Sequence, residues 1–531
     1  MTKVVIIPDR LNLTLPAQSS HVDPTLPLSV KELDAWVRNL PTADVAATTR
    51  LVYQALAGTN GCRLTPQLRH ALLDRHATQV DQIRSALLPH FMGQPHPLPR
   101  ANRRIVRSLE KLFRTLATGY EIIAREADGE LSRHGVAGAV GALCDAITVG
   151  YLGYQTPAAG VWQELHELYR FGTRNDATPI RAWHARYKEA LLLELADPNR
   201  LTPAELRLVE ALVRTFASQA QLLDPAAAVG TSGGHHLDVF AADGGPADSG
   251  DYDLRGDPAR GRFLDTNPVA EHLAQLVEQL VEQLGSQQPS ALPPVMRDQL
   301  GPRNLPFLRR LADLYAQRPR RQHRRIDLDA EVEVVRGISA LHSMLDGGAT
   351  AGDEEEAVQL SGDAHSGINF GGPAAYRSEQ WRQINASAQG VGLLRGSTGH
   401  QRVQVGDLLG LKGFGGQAGW IPAVVRRLRY RDDDLVVGVQ LLASKVRPTL
   451  ARTANLPSLP QAALLVQQRN EDTQRTLVIS QRDALSREQP LTLTLDAREI
   501  TARPNALIET NDFFDIHELA PSKAQQGDSP R

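Results

Sequence analysis

Two hydrophobic periods divide the chain. Through roughly the first 220 positions, large apolar residues recur three and four apart, the spacing of one helix face. The clearest stripe is Ile105, Leu109, Leu112, Phe113, Leu116 and Tyr120. Ser29 through Leu40 predicts a helix around Leu33, Trp36 and Val37. Thr65-Pro66 marks another start, with threonine as N-cap and proline in the first turn. Thr202-Pro203-Ala204-Glu205 has the spacing of a capping box, ahead of Leu206, Val209, Val213 and Phe216. Residues 1–225 are therefore expected to form an α-helical domain, with a bundle over 29–222.

Residues 226–262 are rich in Gly, Asp and Ala and are expected to be a linker or a loose hairpin. Asn267-Pro268 restarts a helix, with Val269, Leu273, Leu276, Val277, Leu280, Val281 and Leu284 on one face. A second helix is expected from Leu305 to Gln317, making 263–318 a helical connector. From Ile326 the period becomes two. Leu328–Val335, Trp381–Asn385, Val391–Leu394, Asp407–Leu411, Trp420–Arg431 and Leu435–Ala443 read as short strands. Asp432-Asp433-Asp434 fits a hairpin tip. Close strands of this kind predict a β-barrel or sandwich over 319–447. A polar insertion at 346–378 interrupts the series. Ala462–Val466, Thr476–Ile479 and Leu491–Leu495 predict a β extension over 448–520, followed by a polar tail at 521–531. The expected fold class is α+β and multidomain.

Composition narrows the function classes. The chain has 531 residues and a net charge of −2, which gives no whole-protein case for nucleic acid or an anionic membrane. Only 7 of its 58 basic residues are lysine, so an isolated arginine cluster carries little weight here. Cys62 and Cys144 each sit in an apolar pattern and read as buried thiols of a reducing compartment. The N-terminus is too weakly apolar for a signal peptide, and no transmembrane span is expected. The resulting expectation is a cytoplasmic protein. His235-His236 lacks partners at a recognised metal-ligand spacing, so no metal is expected. A nucleophile elbow, a phosphate loop, HExxH and paired cysteines are all missing, and the chain is not expected to be an enzyme.

Two polar elements bracket the first strands. Arg320-Arg321-Gln322-His323-Arg324-Arg325 precedes the strand at Ile326, and Asn385-Ala386-Ser387-Ala388-Gln389-Gly390 ends the next. Together with Val405-Gly406-Asp407-Leu408-Leu409, Trp420 through Leu428 and Val437-Gly438-Val439-Gln440-Leu441-Leu442, they resemble the PilZ family of cyclic di-GMP receptors. The signature of that family is RxxxR followed by (D/N)xSxxG. Arg321 and Arg325 match the first element; Asn385, Ser387 and Gly390 match the second. The resemblance covers 318–447, about a quarter of the chain.

The resemblance implies a PilZ-like antiparallel barrel between the helical bundle and the β extension. It also implies cyclic di-GMP as the ligand, with no other cofactor. In relatives an additional arginine before RxxxR, here Arg320, accompanies binding of an intercalated ligand pair. The implied function is an effector that couples ligand binding to a domain rearrangement and to an unnamed protein partner, in motility, pilus or biofilm control. The chemistry suits the residues. A guanidinium grips a phosphate through paired charge-assisted hydrogen bonds. It also reaches guanine O6 and N7, or stacks on a base. Gly390 allows close approach of a ligand to the backbone. Two other readings stay open. One is a scaffold on the same fold that binds no ligand. The other is a nucleic-acid binder using Arg427, Arg429 and Arg431, which alternation places on one strand face.

Overall fold

The structure is a computed structural model. It describes residues 11, 13–21, 23–175, 181–224, 235–238, 243–248, 261–284, 300–301, 304–316, 325–347, 376–387, 389–396, 399–414, 418–431, 433–443, 445–453, 459–470, 473–486 and 488–520. The expected fold class holds: helices come first, then a closed antiparallel barrel, then a further sheet. The chain forms two compact units. One comprises Met1–Gln94 and Leu98–Arg320, the other Pro95–Pro97 and Arg321–Arg531.

In the helical unit, α1 (Val30–Arg38) starts at Ser29, whose hydroxyl accepts from Glu32 N at 3.3 Å. The Glu32 carboxylate accepts from Ser29 N in return, which completes the capping box. α2 (Val45–Gly61) and α3 (Pro66–Leu87) follow. α2 escapes the sequence reading because its apolar positions are small or spread around the helix. α4 (Arg100–Glu126) buries Leu109, Leu112, Phe113, Leu116 and Tyr120 against its neighbours. α5 (Gly129–Leu152) packs along it. Gly135 permits this crossing, because a Cβ there would stand 2.5 Å from Ala124 N on α4.

α5 has the length and apolarity of a membrane-crossing helix, but 72% of its most apolar window is buried within the protein. Its apolar character is used in packing. α6 (Val161–Asn175), α7 (Arg181–Leu195) and α8 (Pro203–Phe216) complete the helical run, α8 with the Thr202–Glu205 capping box. Residues from the stretch expected to be a linker join a small sheet. Its strands are β1 (Gln221–Leu223), β2 (His235–Asp238), β3 (Ala247–Asp248) and β4 (Gly261–Asp265), in the order β1-β4-β2-β3. His235 lies buried on β2, paired with Leu264 of β4. Among the described residues no three His, Cys, Asp or Glu side chains are grouped to hold a metal. α9 (Asn267–Leu284) and α10 (Leu305–Ala316) pack on each other.

The β unit opens with β5 (Ile326–Arg336), followed by a short helix that periodicity did not reveal, α11 (Ile338–Leu345). Then come β6 (Glu379–Ala386), β7 (Gly390–Arg395), β8 (Leu408–Lys412), β9 (Ile421–Arg431) and β10 (Asp434–Leu441). They close in the order β10-β7-β6-β5-β8-β9, with β9 paired back to β10. Val332, Trp381, Leu393, Leu411, Leu428 and Val437 are buried, and Val332, Trp381 and Leu428 alternate with charged or polar neighbours. At the far end of β5, Arg336 Nε is 2.7 Å from Oδ2 of buried Asp407. Burial raises the Asp407 carboxyl above its usual range, opposed by that guanidinium.

β11 (Lys445–Thr453), β12 (Gln461–Asn470), β13 (Thr473–Gln481), β14 (Leu491–Leu495), β15 (Arg498–Ala502), β16 (Pro504–Thr510) and β17 (Phe514–Leu519) form an antiparallel sheet. Its order is β15-β14-β11-β12-β13-β17-β16. Pro448 lies inside β11, opposite Leu464 of β12 and outside the stretch paired with β14. α11 is sandwiched here. Ile338, Ala340 and Leu341 share one apolar core with Val335, Leu408 and Val424 of the barrel and with Leu464, Val466, Leu477, Ile479, Phe514 and Ile516 of the sheet. Leu341 is fully buried.

Two expectations follow. Leu341→Ala should destabilise the β unit by about 2–5 kcal/mol, the usual cost of a leucine-sized core cavity. Denaturant titration followed by a signal from the β unit checks this.

The second concerns two buried acids on α4. Burial pushes the Glu110 carboxyl up to about 7, against Arg107 and Arg114. It pushes Glu121 up to about 8, with Glu164 adding to the rise and Arg114 opposing it. One carboxylate oxygen of each lacks a hydrogen-bond partner. A raised carboxyl binds its proton more tightly in the folded state, so stability falls as pH rises from about 4.5 toward 8. Glu121→Gln, which stays neutral, should give a shallower fall in unfolding temperature over that range.

Candidate functional site

The two polar elements of the sequence meet at one end of neighbouring strands. β5 and β6 run antiparallel, with Ile326 opposite Ala386 and Asp327 opposite Asn385. Arg325 directly precedes Ile326 and is exposed. Ser387 directly follows Ala386, so the start of β5 lies beside the end of β6. The insertion at 346–378 leaves this pairing continuous apart from one bulge between Asp327 and Ala330. Arg320 and Arg321 lie outside the described residues.

The turn after β6 is tight. Ser387 N donates to Gly390 O at 2.8 Å, and Ser387 Oγ donates to the same carbonyl at 3.3 Å. Leu441 N donates to Gln389 O at 3.0 Å, which ties the turn to β10. A Cβ on Gly390 would stand 3.0 Å from the backbone oxygen of Val439. That oxygen cannot swing aside, so Gly390 is needed for close strand approach here.

Asn385, Ser387 and Gly390 are all half-buried at this end of the barrel. A half-buried carboxamide and hydroxyl offer both a donor and an acceptor edge without the cost of a sealed polar group. A planar base with mixed donors and acceptors is a suitable partner. An arginine at the start of β5 supplies the complementary charge for a phosphate.

The register also defines a row that sequence reasoning missed. Asn385 is opposite Gly392 of β7, Gly392 is opposite Gly438 of β10, and Gly438 is opposite Arg427 of β9. Opposed residues share a sheet face, and the flanking Leu393, Val437 and Leu428 are buried inside the barrel. The row therefore lies on the outer face, where Gly392 is buried beneath the Asn385 carboxamide. Its two middle positions carry no side chain. A Cβ on Gly392 would come within 2.6 Å of Asn385 Oδ1, and one on Gly438 within 3.2 Å of Arg427 Cβ. The repeated Val-Gly pairs at 391–392 and 437–438 were the available signal, but only the register shows that they align.

Arg429 and Arg431 also follow the expected single face, opposite Val436 and Asp434. Arg426 departs from it. The β9–β10 register skips Arg426 in a bulge, and its guanidinium makes paired hydrogen bonds to Glu509 of β16, at 2.7 and 2.6 Å.

Comparison with known proteins finds similarity in a different part of the chain, the helical region. Residues 31–227 match the family model described as the N-terminal domain of the cyclic-di-GMP receptor FimW. The chain is 26% identical over 204 residues to the cyclic-di-GMP receptor FimW of Pseudomonas aeruginosa. That alignment covers 37% of this chain and 34% of the relative, so the chain spans about a third of the protein it matches. The helical region is thus similar to the N-terminal domain described for that receptor.

Proposed function

We propose that this chain is a receptor for cyclic di-GMP and acts without catalysis. Arg320, Arg321 and Arg325 supply guanidinium groups from the segment leading into β5. Asn385 and Ser387 supply polar groups from the end of β6, and Gly390 keeps the turn open to the ligand. The observation that carries this reading is the register of β5 on β6, which sets Asp327 opposite Asn385. It brings together two elements that are far apart in the sequence. The name of the matched relative supports the same ligand independently, because that match lies on the helical region.

The mechanism follows from charge and connectivity. The phosphates attract the arginine segment, and a guanine edge is held at Asn385. The same segment joins the helical unit to the barrel along the chain. A ligand that binds better when this segment lies on the barrel face shifts the population toward that arrangement. The output is a changed presentation of the helical unit to a protein partner.

Calorimetric titration of the purified chain with cyclic di-GMP should show saturable binding. Arg321→Ala and Asn385→Ala should each weaken it roughly tenfold or more, about 1.4 kcal/mol, as expected when a charge-assisted or base-edge hydrogen bond is removed. Heat indistinguishable from dilution for the parent chain would remove the receptor reading. Unchanged affinity in both variants would remove the site assignment.

A further inference from the structure

We propose that the first half of β5 is a docking edge for an extended segment of a partner protein in which basic and apolar residues alternate. The segment adds to the sheet as a strand beside residues 326–331. This goes beyond the nucleotide reading and does not depend on it. β8 accompanies β5 only from Glu333 to Arg336. It ends at Lys412, and Gly413 after it takes a φ of 87°, where the ladder stops. On the β8 side, residues 326–330 therefore have no neighbouring strand among the described residues. The bulge toward β6 adds to this, because Leu328 and Asp329 have no opposite residue there either. Backbone N–H and C=O groups left open in this way are a template for another strand.

The side chains select what can pair there. All six residues from 326 to 331 are exposed. Ile326 and Leu328 keep 66% and 43% of their surface in solvent. Between and beside them stand Asp327, Asp329 and Glu331, with no basic residue in the stretch. None of these three acids makes an ion pair among the described residues. The next acid, Glu333, does: Lys412 lies 3.2 Å from it, and Ser378 donates to it at 2.5 Å.

The outer strands of the seven-stranded sheet are guarded differently. β15 carries Arg498 beside Glu499, and Glu499 accepts from Arg452 of β11 at 3.4 Å. β16 begins with Pro504, has two bulges and holds Arg426 through Glu509. Mixed charge, proline and bulges are ordinary protection against strand addition. The edge of β5 instead carries charge of one sign, which repels a like strand and attracts an opposite one. Pairing with a second copy would bring this acidic stretch against itself. A basic strand sets its lysines or arginines among the acids and its apolar residues against Ile326 and Leu328.

The probe is a fluorescein-labelled peptide of about six residues, alternating lysine and valine, the length of an ordinary strand. Fluorescence anisotropy with the full chain should show saturable binding below about 1 mM. Amide hydrogen exchange at residues 326–331 should slow when the peptide is bound. Asp329→Asn combined with Glu331→Gln should weaken binding roughly fivefold and make it less sensitive to salt. Asp327 is left intact, because it lies opposite Asn385. A peptide alternating glutamate and valine should not bind, nor should the lysine peptide with its backbone nitrogens methylated. No saturable binding of the lysine peptide overturns the proposal, as does affinity of the double variant within about twofold of the parent. Equal binding of the methylated peptide would reduce the effect to charge and overturn strand addition. A dimeric parent chain in which these amides are already protected would overturn it in favour of a second copy. Should the double variant fail to fold by thermal unfolding, the methylated and glutamate peptides decide the matter on the parent chain alone.

Discussion

The β unit depends on one strand satisfying two neighbours at once. β5 pairs with β6 from Ile326 to Val334, apart from one bulge, and with β8 over its last four residues, and the barrel cannot close without that double pairing. Val332 and Val334 turn inward and fix the register, because a slip of one residue would send Glu331 and Glu333 into the apolar interior. The Arg336–Asp407 pair secures the closing end. Once that register is set, the position of Asn385 opposite Asp327 is no longer adjustable. The same constraint that closes the barrel assembles the candidate site.

The outer surface of the barrel is divided between two tasks. Val335, Leu408 and Val424 face α11 and the seven-stranded sheet, so this side is committed to a common core. The side built from β6, β7 and the middle of β10 carries the polar and glycine positions. Burial on one side supplies the cohesion that a small barrel with a side-chain-poor opposite face would otherwise lack. The strands after the barrel are thus part of its hydrophobic support.

Much of this was legible in the sequence because it rests on local period. The stripe of α4, the caps of α1 and α8, and the six barrel strands all announce themselves through spacing and boundary residues. The polar ends of β5 and β6 were readable as motifs. What stayed hidden depends on partners distant in sequence. α11 is too short to show a helical period and makes sense only against the sheet that covers it. Pro448 read as a boundary because a proline usually ends a strand, yet it lies within β11, opposite Leu464 of β12 and outside the stretch paired with β14. His96 belongs to the β unit, where it exchanges backbone hydrogen bonds with Val403 and meets the Tyr430 hydroxyl at 3.2 Å. No local pattern could have assigned a tripeptide between two helices to that unit. The glycine row required a register, which alternation alone does not supply.

The bulge at Arg426 has a consequence for the history this chain can have. In a regular strand consecutive side chains point to opposite faces, so one of two adjacent arginines would be driven into the barrel interior. The additional residue lets Arg426 hold Glu509 while Arg427 stays beside Gly438. Loss of the single codon for Arg426 would restore strict alternation, leave Val425 opposite Val439 and Arg427 opposite Gly438, and remove the tie to Glu509. The length of β9 at this point therefore answers to the contact with β16 rather than to the pairing inside the barrel.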